Sequence, residues 1–339
     1  MDAKKDLGKV CFIFSGGGAK GAVQAGQLQA LVENGILASY FIAVSVGSLN
    51  GSKLAESIKT ISKDDFANAV GILKNIWLND IDSRKKIYNL SSKIGIALFK
   101  EPSLFDPAPL ANLIHSLNGD AIVRSPIRLD VVVSRLGSAY EEVFSNTSSD
   151  PEILKEAVLA SASIPGLFPL VEISGKKYFD GAMTAPLPVY LAAKAGYNTV
   201  FVLRTDAPPV ASNSNPTPKV KNWREGLTLS SDSSRNKIEV MEFNWAENIN
   251  KNLEVLDGLE EKVIGQVSAD QKAAISKIFE EEKIKFRFYN KTRLNIISLY
   301  PKKLPASIRA FTFSKEDIAK AIEIGYKDAL EQLNENGIV

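Results

Sequence analysis

Histidine and cysteine are scarce in this chain of 339 residues, which contains one of each. The single cysteine, Cys11, excludes a disulfide within the chain, and its apolar neighbours indicate a buried thiol. A Ser–His–Asp triad would have to use the single histidine, His115, and a zinc site with two imidazoles cannot form from it alone. His115 ends a segment that looks helical and has no acidic neighbour in sequence, which favours a structural role.

Excess charge and long apolar runs are also missing. The formal net charge is +2, so we expect no nucleic-acid partner. The apolar run Val10 to Phe14 is too short for the core of a signal peptide, and no stretch approaches the ~20 apolar residues of a membrane span. We therefore expect a soluble cytoplasmic protein, and leave open its export by a route that reads no such signal.

Strands and helices alternate over the first fifty residues. The patterns predict buried strands at Lys9–Ser15 and Phe41–Val44, with a helix at Ala22–Glu33 between them and a second helix from Leu49 onward. Further strands are predicted at residues 128–134, 141–144, 177–179, 199–203 and 294–299. Strand–helix–strand units at this spacing predict an α/β fold with a mostly parallel central sheet flanked by helices.

The second half of the sequence contains more helices. Pro151 is predicted to begin a helix capped by Asp150. Residues 232–256 and 268–283 have charged helical patterns, and a final amphipathic helix is predicted from its cap, Ser314, to Leu330.

These elements suggest a division of the chain. We expect a catalytic core at residues 1–205, with a helical insertion at about 60–120. An exposed loop, rich in proline, serine and asparagine, is expected at 206–225. Residues 226–339 are expected to add a helical appendage and then a strand and a helix that complete the same domain.

A glycine-rich loop, Ser15-Gly16-Gly17-Gly18-Ala19-Lys20-Gly21, lies between the first predicted strand and helix. Glycines allow backbone amides to point into open space beside the positive end of a helix. Such a loop can hold a phosphate or the oxyanion of an acyl-transfer intermediate.

Glycine-rich loops also occur in dinucleotide-binding folds, in P-loops and in structural turns. Gly16, Gly18 and Gly21 fit the spacing of a dinucleotide-binding oxidoreductase, but the second strand ends in Val44-Ser45-Val46-Gly47, without the acid that holds a ribose. A P-loop is excluded because Ala22 follows Gly21. A structural turn remains an alternative, although three consecutive glycines exceed its needs, so an oxyanion hole is favoured.

Ser45 lies in Ala43-Val44-Ser45-Val46-Gly47, between a predicted strand and a predicted helix. A small-x-Ser-x-Gly turn is typical of a nucleophile elbow, which lifts the serine to the carboxyl end of the sheet. The five residues alone fit a helix-capping serine equally well. The flanking strand and helix favour the elbow.

Asp180 lies in Tyr178-Phe179-Asp180-Gly181-Ala182, at the end of a predicted strand. An Asp-Gly pair is ordinarily a turn. However, a serine nucleophile needs a general base within hydrogen-bond reach, and His115 is poorly placed for that role. A carboxylate is the best remaining candidate, and Asp180 can meet Ser45 if both strands belong to one sheet.

The glycine loop, the serine elbow and the distant Asp-Gly pair together resemble those of the patatin-like phospholipases. Two other stretches resemble segments of that family: Ser103–Leu110, which leads into a helix, and Ala160–Pro169, which precedes the strand of the aspartate. The resemblance covers about residues 9–205. It implies a three-layer α/β fold and a serine–aspartate dyad that uses neither histidine nor a metal or other cofactor.

The resemblance also implies a role for individual residues. Ser45 would be the nucleophile, Asp180 its base, and the amides of Gly16, Gly17 and Gly18 the oxyanion hole. The supporting residues would be Lys20, Gly47 and Gly181. Lys20 would hold the glycine loop or a phosphate head group. Ala43 and Ala182 stand where the family more often has glycine, which leaves a weakly active or inactive relative as an alternative.

The implied function is hydrolysis of lipid acyl esters, of the phospholipase A or esterase type, through an acyl-enzyme. The alternative is a patatin-like lipid-binding or regulatory protein without turnover. The expected partners are a lipid or phospholipid substrate and a peripheral membrane surface.

Two segments, Arg84–Tyr88 and Lys93–Lys100, mix basic and apolar residues. This mixture is typical of a helix that binds an anionic membrane and equally of a core helix with a charged rim. Period-two alternation in Lys285–Lys291 favours an edge strand over lipid contact.

Overall fold

A mostly parallel sheet forms the middle layer of the molecule. The computed structural model describes residues 6–81, 83–90, 105–106, 108–209, 223–283, 293–311 and 314–339. The sheet strands within these ranges are β1 Val10–Phe14, β2 Tyr40–Val44, β5 Arg128–Arg135, β6 Glu141–Ser145, β7 Val171–Ile173, β8 Lys176–Asp180, β9 Thr199–Leu203 and β10 Asn295–Leu299. The short strands β3 Asn89–Leu90 and β4 Phe105–Asp106 pair separately.

Five strands run parallel in the order β10–β9–β1–β2–β5. Strands β6 and β8 pair antiparallel with β5, and β7 pairs antiparallel with β8. Parallel strands are buried on both faces. This explains why every residue of β1, β2 and β9 is buried and why all of them except Thr199 of β9 are apolar or aromatic.

Helices cover both faces of the sheet. They are α1 Ala22–Glu33, α2 Val46–Ser57, α3 Lys63–Asn75, α4 Ala108–His115, α5 Gly119–Val123, α6 Pro151–Ser161, α7 Val189–Lys194, α8 Trp223–Gly265, α9 Ala269–Lys283 and α10 Lys315–Glu335. Alternate residues of β1 point into two separate cores. One core includes residues of α1, α2, α3, α6 and α10, and the other includes residues of α7 and α8. The predicted three-layer α/β fold with C-terminal helices is therefore confirmed.

The predicted elements differ from the observed ones mainly at their ends. Strand β7 was not predicted, because its three residues are too few to show alternation. The charged patterns at 232–256 and 268–283 correspond to α8 and α9. Three predicted segments lie outside the described residues: Lys93–Lys100, Lys285–Lys291 and most of the expected loop at 206–225.

Among the described helices, none has an apolar stretch long enough to cross a membrane.

Candidate active site

Ser45 occupies a sharp turn between β2 and α2. Its backbone angles, φ 56° and ψ −129°, are ones that a residue with a side chain rarely adopts. The turn is tight because α2 begins directly against β1. A Cβ added to Gly47 would lie 2.4 Å from the carbonyl oxygen of Phe14. Only glycine fits at this position, as the nucleophile-elbow pattern requires.

Asp180 lies within hydrogen-bond distance of Ser45. The Ser45 hydroxyl donates to Asp180 Oδ2 over 2.7 Å, and the Ala182 amide donates to Oδ1 over 2.8 Å. Both side chains are almost completely buried. Burial raises the pKa of Asp180 to about 6, against the opposing effect of these two hydrogen bonds. The carboxylate is therefore a stronger base than an exposed one, while it remains ionised at neutral pH.

The two residues meet because β2 and β8 follow one another along the same edge of β5. Val44, the last residue of β2, pairs with Val132 of β5. Asp180, the last residue of β8, pairs with Val133. Strand β6 pairs with both Val132 and Val133, so it must occupy the opposite edge. The chain thus leaves the sheet at Ser45 at the point where β8 arrives with Asp180.

Close packing at the Asp180 end leaves no room beside Gly181. A Cβ there would lie 2.2 Å from the carbonyl oxygen of Val132. Ser134 donates to the carbonyl oxygen of Asp180 over 2.9 Å and fixes the end of β8 against β5. Ala182, one of the two departures from the family pattern, supplies the amide that holds the carboxylate.

Ser161 connects Ser45 to the neighbouring strand. The Ser45 amide donates to the Ser161 hydroxyl over 2.8 Å, and this hydroxyl donates to the carbonyl oxygen of Val132 over 2.7 Å. Ser161 is the last residue of α6 and is fully buried. Ser161 was not among the predicted site residues. The serine-rich stretch Ala160–Pro169 was the available signal, but it does not distinguish Ser161 from Ser163.

The glycine loop is held by its carbonyl groups. Thr205 donates to the carbonyl oxygen of Gly16 over 2.5 Å, and Gln24 donates to that of Ser15 over 2.9 Å. None of the backbone hydrogen bonds within the described part of the chain uses the amides of residues 16–18. A Cβ on Gly16 would lie 3.3 Å from Ser45 Oγ. Among the described residues these amides therefore have no backbone partner, and Gly16 lies beside Ser45. An oxyanion hole requires unpaired amides close to the nucleophile.

Two residues discussed in the sequence analysis, Lys20 and His115, form no hydrogen bond with Ser45 or Asp180 among the described residues. Lys20 forms an ion pair with Asp206, so its charge holds the glycine loop to the end of β9. His115 bonds to Glu156 over 2.9 Å, and its side chain is 45% exposed. Within the described ranges, no group of three or more His, Cys, Asp or Glu side chains is arranged to hold a metal ion.

An apolar pocket opens beside Ser45. Its lining residues, apart from Ser45 and Gly18, have apolar or aromatic side chains: Val46, Leu49, Trp77, Ile81, Ile87, Tyr88, Leu110, Ala162, Ile164, Phe168, Ala310 and Phe311. Such a lining matches an alkyl chain rather than a polar ligand. The arrangement thus combines a serine, a buried carboxylate, a glycine loop and an apolar cavity.

The chain matches the sequence model of one known family. Residues 12–193 match the family described as patatin-like phospholipase. This match covers more than half of the chain, and the protein therefore belongs to the patatin-like phospholipase family.

Individual relatives are distant. Triacylglycerol lipase 5 of Saccharomyces cerevisiae is 24% identical over 216 residues, covering 56% of this chain and 28% of that protein. Lysophospholipase NTE1 of Candida glabrata is 25% identical over 203 residues, covering 56% of this chain and 10% of that protein. The chain thus spans less than a third of the length of these relatives. Among solved structures, VipD from Legionella pneumophila aligns with a TM-score of 0.45 at 15% identity, covering 98% of this chain and 69% of that one.

Proposed function

We propose that this protein hydrolyses carboxylic esters of lipids, with Ser45 as the nucleophile and Asp180 as its general base. The observation that carries the proposal is the 2.7 Å hydrogen bond from the Ser45 hydroxyl to the buried Asp180 carboxylate. The apolar pocket beside Ser45 supports a lipid acyl group as the substrate. Family membership and the names of the relatives, a triacylglycerol lipase and a lysophospholipase, support the same class.

The reaction follows from the placement of these groups. As Ser45 Oγ attacks the ester carbonyl carbon, its proton passes to Asp180, and the amides of the glycine loop stabilise the oxyanion. The intermediate collapses, and the leaving alkoxide takes the proton from Asp180. Water then attacks the acyl-enzyme, again giving a proton to Asp180. The fatty acid leaves as the proton returns to Ser45. No step uses a metal or a cofactor.

The proposal is tested by hydrolysis of p-nitrophenyl acyl esters and of phospholipid vesicles, with a chelator present. We expect activity in the wild type and none above background in Ser45→Ala. The matched control is Ser52→Ala. Ser52 is fully buried on α2, the helix that follows Ser45, and its hydroxyl has no hydrogen-bond partner among the described residues. Normal activity of a folded Ser45→Ala variant would exclude Ser45 as the nucleophile. Inactivity of the wild type on every ester would favour the lipid-binding alternative.

Replacement of His115 by alanine is expected to leave kcat/KM within about twofold of the wild-type value. The imidazole is exposed and bonded to Glu156, and the proposed mechanism gives it no proton to carry. Steady-state hydrolysis of a p-nitrophenyl ester measures this. A collapse of activity in a variant with a native circular dichroism spectrum would contradict a histidine-free dyad.

Ser161→Ala is expected to lower kcat by about 10- to 100-fold with little change in KM, because a small misplacement of a nucleophile is costly. The variant removes the hydroxyl that accepts the hydrogen bond of the Ser45 amide. Ser163→Ala is the matched control, since the Ser163 hydroxyl donates to the carbonyl oxygen of Leu159 and does not reach the elbow. Equal effects on kcat in both variants, or a change confined to KM, would remove the positioning role of Ser161.

A further inference from the structure

The apolar pocket beside Ser45 has an open end and a closed end. Half-buried residues lie at the open end: Gly18, Ala162, Ile164, Ala310 and Phe311. At the closed end, Trp77 and Ile81 are each 1% exposed. A chain that enters beside Ser45 therefore ends against side chains that have no solvent behind them.

Trp77 is fixed in place at this closed end. Its indole N–H donates to Asn50 Oδ1 over 3.0 Å, and Asn50 in turn donates to Gln24 Oε1 over 2.8 Å. The ring also lies close to the backbone of Gly21, where an added Cβ would be 3.1 Å from Trp77 Cζ2. Trp77 belongs to a π-helical turn, Ile76–Asp80, that follows α3; such turns often occur at functional sites. The indole cannot swing aside without breaking this packing.

The length of the pocket can be estimated along α2. Val46 and Leu49 line it between Ser45 and the contact of Trp77 with Asn50. The five steps along the chain from Ser45 to Asn50 span about 7.5 Å of helix axis. An extended alkyl chain advances about 1.3 Å per carbon, because each C–C bond of about 1.5 Å lies at an angle to the chain direction. The space between Ser45 and the indole therefore fits no more than about six carbons, since the ring also reaches the level of Val46: a Cβ added at Gly21 would lie 2.7 Å from Val46 Cγ2 and 3.1 Å from Trp77 Cζ2.

We propose that Trp77 is the floor of the acyl pocket and sets the length of the acyl chain that Ser45 accepts. The favoured substrates are then medium-chain acyl esters, and longer chains meet the indole before their carbonyl group reaches Ser45. This assignment rests on the proposed esterase function, and it adds a residue that determines specificity without touching the reacting atoms.

The test compares kcat/KM for p-nitrophenyl esters from butanoyl to hexadecanoyl in the wild type and in Trp77→Leu. We expect a wild-type maximum near hexanoyl. In Trp77→Leu, the ratio of kcat/KM for dodecanoyl to that for hexanoyl should rise at least about tenfold, since one methylene alone can change kcat/KM by that factor.

Trp245→Leu is the matched control. Trp245 packs against Tyr190 and against the core on the opposite face of the sheet, so its removal should leave the chain-length profile unchanged. A shared shift in both tryptophan variants, or an unchanged ratio in Trp77→Leu, would overturn the assignment.

A measurement on the wild type alone guards against misfolding of Trp77→Leu. The rate at which alkyl fluorophosphonates label Ser45 should fall once the alkyl group is longer than about six carbons, in line with the estimated depth. Equal labelling rates for hexyl and hexadecyl reagents would overturn the role of Trp77 and leave the esterase proposal standing. Absence of any reaction at Ser45 would instead refute the esterase proposal and this inference with it.

Discussion

Asp180→Asn is expected to lower kcat for ester hydrolysis by about 10³- to 10⁴-fold, the range for loss of a general base. The single amide oxygen can still accept the Ser45 hydrogen bond, but the bond from the Ala182 amide and the proton acceptor are both lost. Steady-state kinetics at about pH 8 measure the effect.

The pH dependence of the wild type provides a second measurement. Because only the ionised carboxylate can accept the proton of Ser45, kcat/KM should fall about tenfold per pH unit below the Asp180 pKa of about 6.

The matched control is Asp130→Asn. Asp130 is also a buried aspartate of the sheet, but it bonds to Tyr40 and Arg128 and has no contact with Ser45. This variant should retain kcat. A kcat for Asp180→Asn within tenfold of the wild-type value would exclude Asp180 as the base.

The same substitution should stabilise the folded protein at neutral pH. Burial raises the pKa of Asp180 from 3.8 to about 6, so the fold disfavours the ionised carboxyl by about 3 kcal/mol. Below about pH 4 the carboxyl is protonated in both folded and unfolded chains, and the penalty is absent. It grows as the pH rises and is complete above about pH 6. The gain in stability of Asp180→Asn should therefore be full at about pH 8 and vanish near pH 4, as measured by urea denaturation. A gain that does not depend on pH would contradict this account.

Gly47→Ala is expected to lower the free energy of unfolding by about 3 kcal/mol or more, and kcat by about 100-fold. The new methyl group would lie 2.4 Å from the carbonyl oxygen of Phe14. The methyl group would be attached to the backbone of α2, and the carbonyl oxygen belongs to the backbone of β1. The clash can therefore be removed only if α2 moves away from β1 and carries Ser45 with it. Urea denaturation and ester hydrolysis measure the two effects.

Gly71→Ala provides the comparison for Gly47→Ala. Gly71 is exposed on α3, and an added Cβ there meets nothing within 4 Å. Alanine should therefore stabilise the protein by up to about 1 kcal/mol through helix propensity, without any change in kcat. If Gly47→Ala behaves like Gly71→Ala, the close contact of α2 with β1 does not define the elbow.

The sequence predicted those parts of the site that are encoded within a few consecutive residues. The elbow at Ser45 requires small residues at fixed neighbouring positions, so its pattern is visible in the sequence. The glycine loop is visible for the same reason. Asp180 was inferred from the chemical need for a base, and its contact with Ser45 depends on β2 and β8 sharing one edge of β5, which no local pattern encodes.

The remaining features depend on contacts between distant segments. The side chain of Ser161 reaches the Ser45 amide only because α6 ends beside β5, and nothing in the serine-rich stretch marks one serine over another. The acyl pocket combines residues from Gly18 to Phe311. Trp77 forms its floor through a π-helical turn for which sequence patterns give no signal. Tertiary packing, rather than propensity, decides each of these positions.

The most direct test of the central claim is covalent labelling of the wild type with a fluorophosphonate, followed by mass spectrometry of the labelled peptide. We predict that one serine per chain, Ser45, reacts at about pH 8, because a hydroxyl is reactive only where a base removes its proton. Labelling should disappear in Ser45→Ala and slow strongly in Asp180→Asn. Labelling of a different serine, or none in a folded wild-type protein that binds lipid, would contradict the proposed dyad.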